Sequence, residues 1–173
     1  MAIIIGKRKS LLSGLFGRRF DNYFSDNMSN LTTPAATDIE TQLNSYSVGT
    51  TDTWLFRGYF LANTTATNWR FRTNSDDASY VWIGSNSTAD DGDLNTGNAV
   101  VDNGGLHSAQ TRTSGDISLT AGIFYPIAVV IGNNTGPGTL TFSFSSNGGT
   151  NYSTDGSGHF FYSPYAPNGY NLN

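Results

Sequence analysis

The chain has 173 residues, no cysteine, 20 glycines and 13 acidic residues against 9 basic ones. That length suits one domain large enough to bury a core, and the lack of cysteine excludes disulfide frameworks and thiolate metal sites, leaving packing and any hard ion held on oxygen ligands. Lys7, Arg8, Lys9, Arg18 and Arg19 gather in the first twenty positions, so the remaining body is acidic, which argues against nucleic acid as the main ligand and is compatible with cations or neutral sugars.

The composition is rich in Gly, Asn, Ser and Thr, draws much of its apolar mass from Phe, Tyr and Trp, and has Glu40 as its one glutamate. This is an all-β composition. Residues 1–30 are expected to form an N-terminal arm and a candidate assembly contact. In it, the isoleucines at 3–5 suit a strand, while Leu11, Leu12, Leu15, Phe16 and Phe20 have a loosely helical spacing that Gly14 and Gly17 weaken. The arm is a poor secretory signal, because its short apolar stretch is interrupted by Ser13, Gly14 and Gly17 and runs into Arg18-Arg19 without a small-residue cleavage site. No segment approaches the roughly 20 apolar residues that span a bilayer.

Residues 31–173 are expected to form a β-sandwich domain. The stretch 30–52 reads as a loop with a turn of helix around 38–43. Strand signals then recur at 54–60, 68–74, 79–84, 98–102, 107–113, 116–119, 123–131, 139–145 and 159–162, separated by Gly and Asn clusters. Leu140, Phe142 and Phe144 alternate with Thr141 and Ser143, as a strand with one face inward does. Many short strands with turn-rich spacers indicate an antiparallel sandwich or barrel.

Asp76-Asp77 stands at the junction of two of these strands. Neighbouring strand side chains point to opposite faces, so both carboxylates serve one ion only if the backbone leaves regular geometry there, for example through a cis peptide. The loop 132–138, Gly-Asn-Asn-Thr-Gly-Pro-Gly, adds the amide oxygens of Asn133 and Asn134, the Thr135 hydroxyl and several carbonyls. Calcium takes six to eight such oxygens. The plainer reading makes both segments solvated turns.

The order of these motifs resembles the protective antigen-type domain of yeast flocculins and related GLEYA adhesins. The resemblance runs over WLFRGYF (54–60), NWRFRTNSDDASYVWIG (68–84), NGGLHS (103–108), GDISLTAGIFYPIAVVIGNN (115–134) and GTLTFSF (138–144), with a weaker echo in FDNYFSDN (20–27). It implies an antiparallel β-sandwich lectin with a cis Asp76-Asp77 pair that binds calcium. Asn133 would supply its side chain, and Thr135 and Pro137 their carbonyls. Two vicinal hydroxyls of a sugar would then be received at Asp76, Asp77, Asn133 and Asn134. This chain departs from the family in lacking the flocculin disulfides and in having Pro137 where some sugar-binding members have an aromatic residue, so sugar selectivity does not carry over.

A second acidic cluster, Asp90, Asp91 and Asp93 with Asn95, resembles the start of a D-x-D-x-N calcium loop, but Thr96 replaces its glycine and Asp102 its final glutamate. It reads either as a second ion site or, more simply, as a solvated loop. His107 and His159 are the only histidines, with no metal spacing and no cysteine nucleophile, so a non-enzymatic protein is expected. The run 159–170 concentrates five aromatic residues with Pro164 and Pro167 and reads as a last strand with a strapped tail, or as an assembly contact.

The expected function is calcium-dependent carbohydrate binding or adhesion on a virion or extracellular surface. Glycans and other structural subunits, in a homo-oligomer or larger assembly, are the expected partners. The alternative is a purely structural decoration or filament subunit of a capsid, tail or fibre, with no sugar binding.

Overall fold

The computed structural model of the protein describes residues 10–165. Its strands in chain order are β1 (Leu12–Ser13), β2 (Leu15–Phe20), β3 (Ala36–Glu40), β4 (Tyr46–Val48), β5 (Asp52–Leu61), β6 (Ala66–Asp76), β7 (Ser79–Ile83), β8 (Val101–Asn103), β9 (Gln110–Thr113), β10 (Ile117–Leu119), β11 (Phe124–Asn133), β12 (Gly138–Ser145) and β13 (Phe160–Tyr162). They form two antiparallel sheets. The larger runs β1-β13-β5-β11-β7-β8, with β2 on the free part of the β5 edge and β3 beyond it; the smaller runs β10-β6-β12-β4, with β9 also on β6. The expected β-sandwich is what the chain adopts.

The two sheets differ in how their strands are buried. In the smaller one, Trp69, Phe71, Leu140, Phe142 and Phe144 point inward while Arg70, Arg72 and Thr139 remain at least partly solvated, which is the alternation of a half-buried sheet. The larger sheet is covered on both faces. Val81, Ile127, Val129 and Ile131 enter the core between the sheets. Tyr80, Trp82, Ala128 and Val130 enter a second cluster with Phe20, Phe24, Met28, Leu31 and Leu94 on the outer face. Strands covered twice read as continuous apolar runs, which is how 79–83 and 127–131 look in the sequence. Phe60 centres the inner core, with edge-on contacts to Trp69, Phe71 and Phe144 at ring separations of 5.0–5.4 Å.

Two expectations are corrected. The described part of the presumed arm is body, not appendage. Residues 15–20 pair with β5 through Phe16↔Arg57 to Phe20↔Thr53, and Leu15, Phe20, Phe24 and Met28 are buried. The expected helical spacing of Leu11 to Phe20 gives no helix; among the described residues of this segment one 3-10 turn forms, at Met28–Asn30. Gly14 turns with φ +108°, and a Cβ on Gly17 would lie 2.7 Å from the Phe56 ring, so both glycines serve strand packing. The second correction concerns 30–52, which is not all loop: it carries β3 and β4, and the expected helical turn at 38–43 is replaced by the edge strand β3, rich in exposed side chains. The isoleucines at 3–5, the basic residues at 7–9 and the aromatic tail beyond 165 lie outside the described residues.

Candidate functional site

At one end of the sandwich, four connections cross from one sheet to the other: 49–51 (β4 to β5), 77–78 (β6 to β7), 104–109 (β8 to β9) and 134–137 (β11 to β12). The pairings Asp76↔Thr139, Gly138↔Val48, Asn133↔Asp52 and Ser79↔Asn103 place all four at the same end. The 77–78 and 134–137 crossings carry the residues singled out by sequence.

The peptide joining Asp76 and Asp77 is cis. Asp77 is 7% exposed; its Oδ1 accepts the His107 N–H at 2.9 Å and its Oδ2 accepts the Asn134 N–H at 3.0 Å. One carboxylate thus ties two of the crossing loops together. Asp76 is half-buried beside it. Among the described residues, every ion pair joins other carboxylates, so neither member of the pair has a cationic side chain at hand. Burial, and then the charges of Asp26 and Asp77, push the Tyr23 phenol up to about 12.

Asn133 is fully buried. Its Nδ2 donates to the carbonyls of Gly49 at 2.9 Å and Gly136 at 2.8 Å, which settles the orientation of the amide. Its Oδ1 is buried and has no hydrogen-bond partner among the described residues. Such an orphan acceptor is costly. Gly138 makes this packing feasible, since a Cβ there would lie 2.6 Å from the Asn133 side chain and 2.8 Å from the Asp76 carbonyl. The loop itself is shaped by Thr50 Oγ1 donating to Gly136 O at 2.8 Å and Thr51 Oγ1 donating to Asn134 O at 3.0 Å. Thr135 and Pro137 sit on its exposed crest, and Asn134 is half-buried against Asp77.

The donor set fits calcium and not a softer metal. No group of three or more His, Cys, Asp or Glu side chains converges among the described residues. Two carboxylates, one amide oxygen aimed at no partner and a loop rich in carbonyls are the hard oxygen chemistry that calcium accepts.

Sequence reasoning singled out Asp76, Asp77, Asn133 and Asn134 as candidates but not the groups that brace them. Asp26 accepts the Tyr80 hydroxyl at 3.0 Å and the Gly105 N–H on both oxygens at 3.1 and 3.2 Å, and so fixes the loop whose His107 amide grips Asp77. Beneath the pair, Ser79 Oγ donates to Thr73 Oγ1 and lies 2.7 Å from Ser75 Oγ, while the buried Asn103 Nδ2 donates to Ser75 Oγ and to Gln110 O. The echo at 20–27 was the one signal for Asp26; backbone donors leave no signature in a sequence.

In the second acidic cluster Asp90, Asp93 and Asn95 are exposed, as a solvated loop implies, while Asp91 is half-buried and paired. Asp91 Oδ1 accepts from Arg18 and from the fully buried Arg57, whose other nitrogen donates to the carbonyls of Ser87 and Ala89. Burial pushes the Arg57 guanidinium down from its ordinary value and Asp91 opposes that. Of the histidines, His107 has its ring nitrogens on the carbonyls of Ser108 and Asn103, and His159 has its own on Leu61 O and the Asn63 amide.

The family model of the GLEYA domain matches residues 53–146. No curated protein matches the chain. Among solved structures, the chain is similar to the Epithelial Adhesin 6 A domain from Candida glabrata, crystallised in complex with Galb1-3GlcNAc, with 16% identity, a TM-score of 0.70 and 88% of each chain covered. It is also similar to the PA14 domain of the MpAFP antifreeze protein, at 17% identity and a TM-score of 0.69 over 95% of this chain and 100% of that one. The PA14 sugar-binding domain from an RTX adhesin aligns at 18% identity and a TM-score of 0.64, covering 86% and 98%. At these identities the likeness speaks for the fold, and the family match spans β5 to β12 with the 77–78, 104–109 and 134–137 crossing loops. The chain belongs to the GLEYA domain family.

Proposed function

We propose that this domain is a non-enzymatic, calcium-dependent carbohydrate-binding module used in adhesion. The observation that carries the reading is the buried Oδ1 of Asn133, without a partner among the described residues, beside an acidic pair that no described side chain neutralises. Asp76, Asp77 and Asn133, with the carbonyls of Thr135 and Pro137, would hold the ion. Bound there, calcium supplies open coordination positions for two vicinal hydroxyls of a sugar. The protein's own contribution is orientation. Asp77 is held by two backbone amides and Asn133 by two carbonyls, so the donors are set before any ligand arrives, which lowers the cost of binding.

Exposed Leu106, at 62%, precedes the amide that holds Asp77, and Pro137 crowns the opposite loop. Both offer apolar surface to the less polar face of a sugar ring. The Epithelial Adhesin 6 A domain holds Galb1-3GlcNAc and the RTX adhesin domain is a sugar-binding one, which supports glycans as the ligand class here. Adjacent carboxylates on one corner do not face each other across a cleft as glycosidase chemistry needs. The alternative reading is a purely structural subunit, in which a neighbouring subunit would cover the exposed Thr135, Gly136, Pro137 and Leu106. A single sugar would bind weakly, so display in many copies on a virion or cell surface, by self-assembly or with other structural subunits, gives useful avidity.

Glycan-array binding of wild type and Asp77→Ala, each with calcium and with chelator, tests this. Binding by wild type in calcium alone is expected. Equal binding by both proteins, or binding that ignores chelator, contradicts it.

A further inference from the structure

The opposite end of the sandwich carries a cavity of about 320 Å³, within the roughly 300–1,000 Å³ typical of small-ligand sites. It opens where β5 and β12 end and β6 begins, seven residues along β6 from Asp76, which at ~3.3 Å per residue is roughly 23 Å away. Trp69 and Phe144 form its floor, and Asn63, Asn147, Tyr152 and His159 stand around it.

Its walls are preformed. Ser145 Oγ donates to Asn147 Oδ1 at 2.7 Å and accepts the Gly149 N–H at 3.1 Å, and Asn147 Oδ1 also accepts the Asn151 N–H at 3.1 Å. Asn147 therefore has its oxygen committed, and no described residue bonds its Nδ2. Arg72 lies over the Tyr152 ring at 3.7 Å and holds that wall. His159 stacks on Phe60, with rings 5.2 Å apart. Its Nδ1 lies 2.8 Å from the Leu61 carbonyl, which can only accept, so Nδ1 carries the proton and Nε2 presents a lone pair. That lone pair faces Asn63 Nδ2 at 3.5 Å, the outer limit of a hydrogen bond.

Among the described residues the lining combines aromatic surface with amide and hydroxyl donors and an imidazole acceptor, with no carboxylate and no aliphatic wall. A cationic ligand finds no carboxylate there, the nearby Arg72 guanidinium is committed to the Tyr152 ring and Ser143 Oγ, and purely apolar ligands leave amides unpaired. We infer that this cavity is a second, metal-independent binding site for a neutral polyhydroxylated ligand of monosaccharide size. It does not rest on the calcium site. With sites at opposite ends of one domain, a single chain would bridge two glycans.

The test is NMR titration of the full chain in chelator with glucose, galactose, mannose and N-acetylglucosamine, using wild type, Asp77→Ala, and the exposed-position variants Asn63→Trp and Asn151→Trp, which place an indole across the opening. At least one sugar should shift the Trp69 indole N–H and the Asn147 amide with a Kd on the order of 1 mM. Asp77→Ala should bind unchanged. Either tryptophan variant, with its dispersed spectrum retained, should bind at least about tenfold more weakly. Shifts that need calcium or vanish in Asp77→Ala would overturn the inference, as would the absence of shifts at these residues with all four sugars, or unweakened binding in both tryptophan variants.

Discussion

Asp76-Asp77 and Asp90-Asp91 are the two adjacent acidic pairs in the chain, both set among Gly, Asn and Ser, and they have opposite fates. Asp91 is spent inside the fold. It lies between Arg18 and Arg57, whose side chains are 13% and 0% exposed, and staples the 84–98 segment onto the outer face of the larger sheet. Asp77 is more buried than Asp91 by residue class, yet its partners are two backbone amides, which orient a carboxylate without neutralising it. The lesson is that an acidic pair is assigned by the charges that face it. Local sequence alone treats both pairs as turns or ion loops.

The comparison can be broken most forcefully at Asp91. Changing Asp91→Asn leaves Arg57 buried without its counter-charge, and breaking a buried pair on one side costs about 3–5 kcal/mol. Urea unfolding should show that loss, and added calcium should not repair it selectively. At the other pair the dependence is reversed. Calcium at a hundred times its Kd should stabilise the wild type by about 2.7 kcal/mol through mass action. Thermal unfolding of Asp77→Asn should show no such gain.

Gly138→Ala sharpens the same contrast without touching a charge. Its new methyl would press on Asn133 and on the Asp76 carbonyl, an overpacking cost of about 1–3 kcal/mol, and the calcium-induced rise in the unfolding midpoint should shrink with it. Asp26→Asn should have the smallest effect. It weakens a charge-assisted bond to the Gly105 amide, about 1 kcal/mol of stability, and loosens the loop that positions Asp77. Calcium affinity measured by terbium displacement should fall about tenfold, the range seen when groups behind metal ligands are altered.

How much of this is visible in the sequence follows from the kind of contact involved. β6 is legible because one face is partly wet, β12 because Leu140, Phe142 and Phe144 alternate with Thr and Ser, and β7 and β11 because both faces are largely dry. By contrast, β2 imitates a helix, since Leu11, Leu12, Leu15 and Phe16 fit its period while the glycines that refute it act only against Phe56 and Ile39 in the folded chain. β3 has no apolar alternation to detect, being an edge with Thr37, Asp38 and Ile39 exposed. At the candidate site, Asp76, Asp77 and Asn133 carry oxygen donors in their side chains and could be nominated from the sequence, the resemblance rather than composition setting them above solvated turns. The His107 amide, the Gly49 carbonyl and the Asp26 brace could not, because backbone groups are common to every residue and Asp26 meets Gly105 from 79 positions away. Arg57 and Asp91, 34 positions apart, were hidden for the same reason.

Calorimetric titration of calcium into wild type, Asp77→Asn and Asn133→Leu, each checked for folding, probes the central assignment most directly. One ion per chain in the wild type, with binding abolished in both variants and preserved in Arg70→Gln on the solvated face of β6, is the predicted result. Undiminished binding by Asp77→Asn and Asn133→Leu would contradict the account.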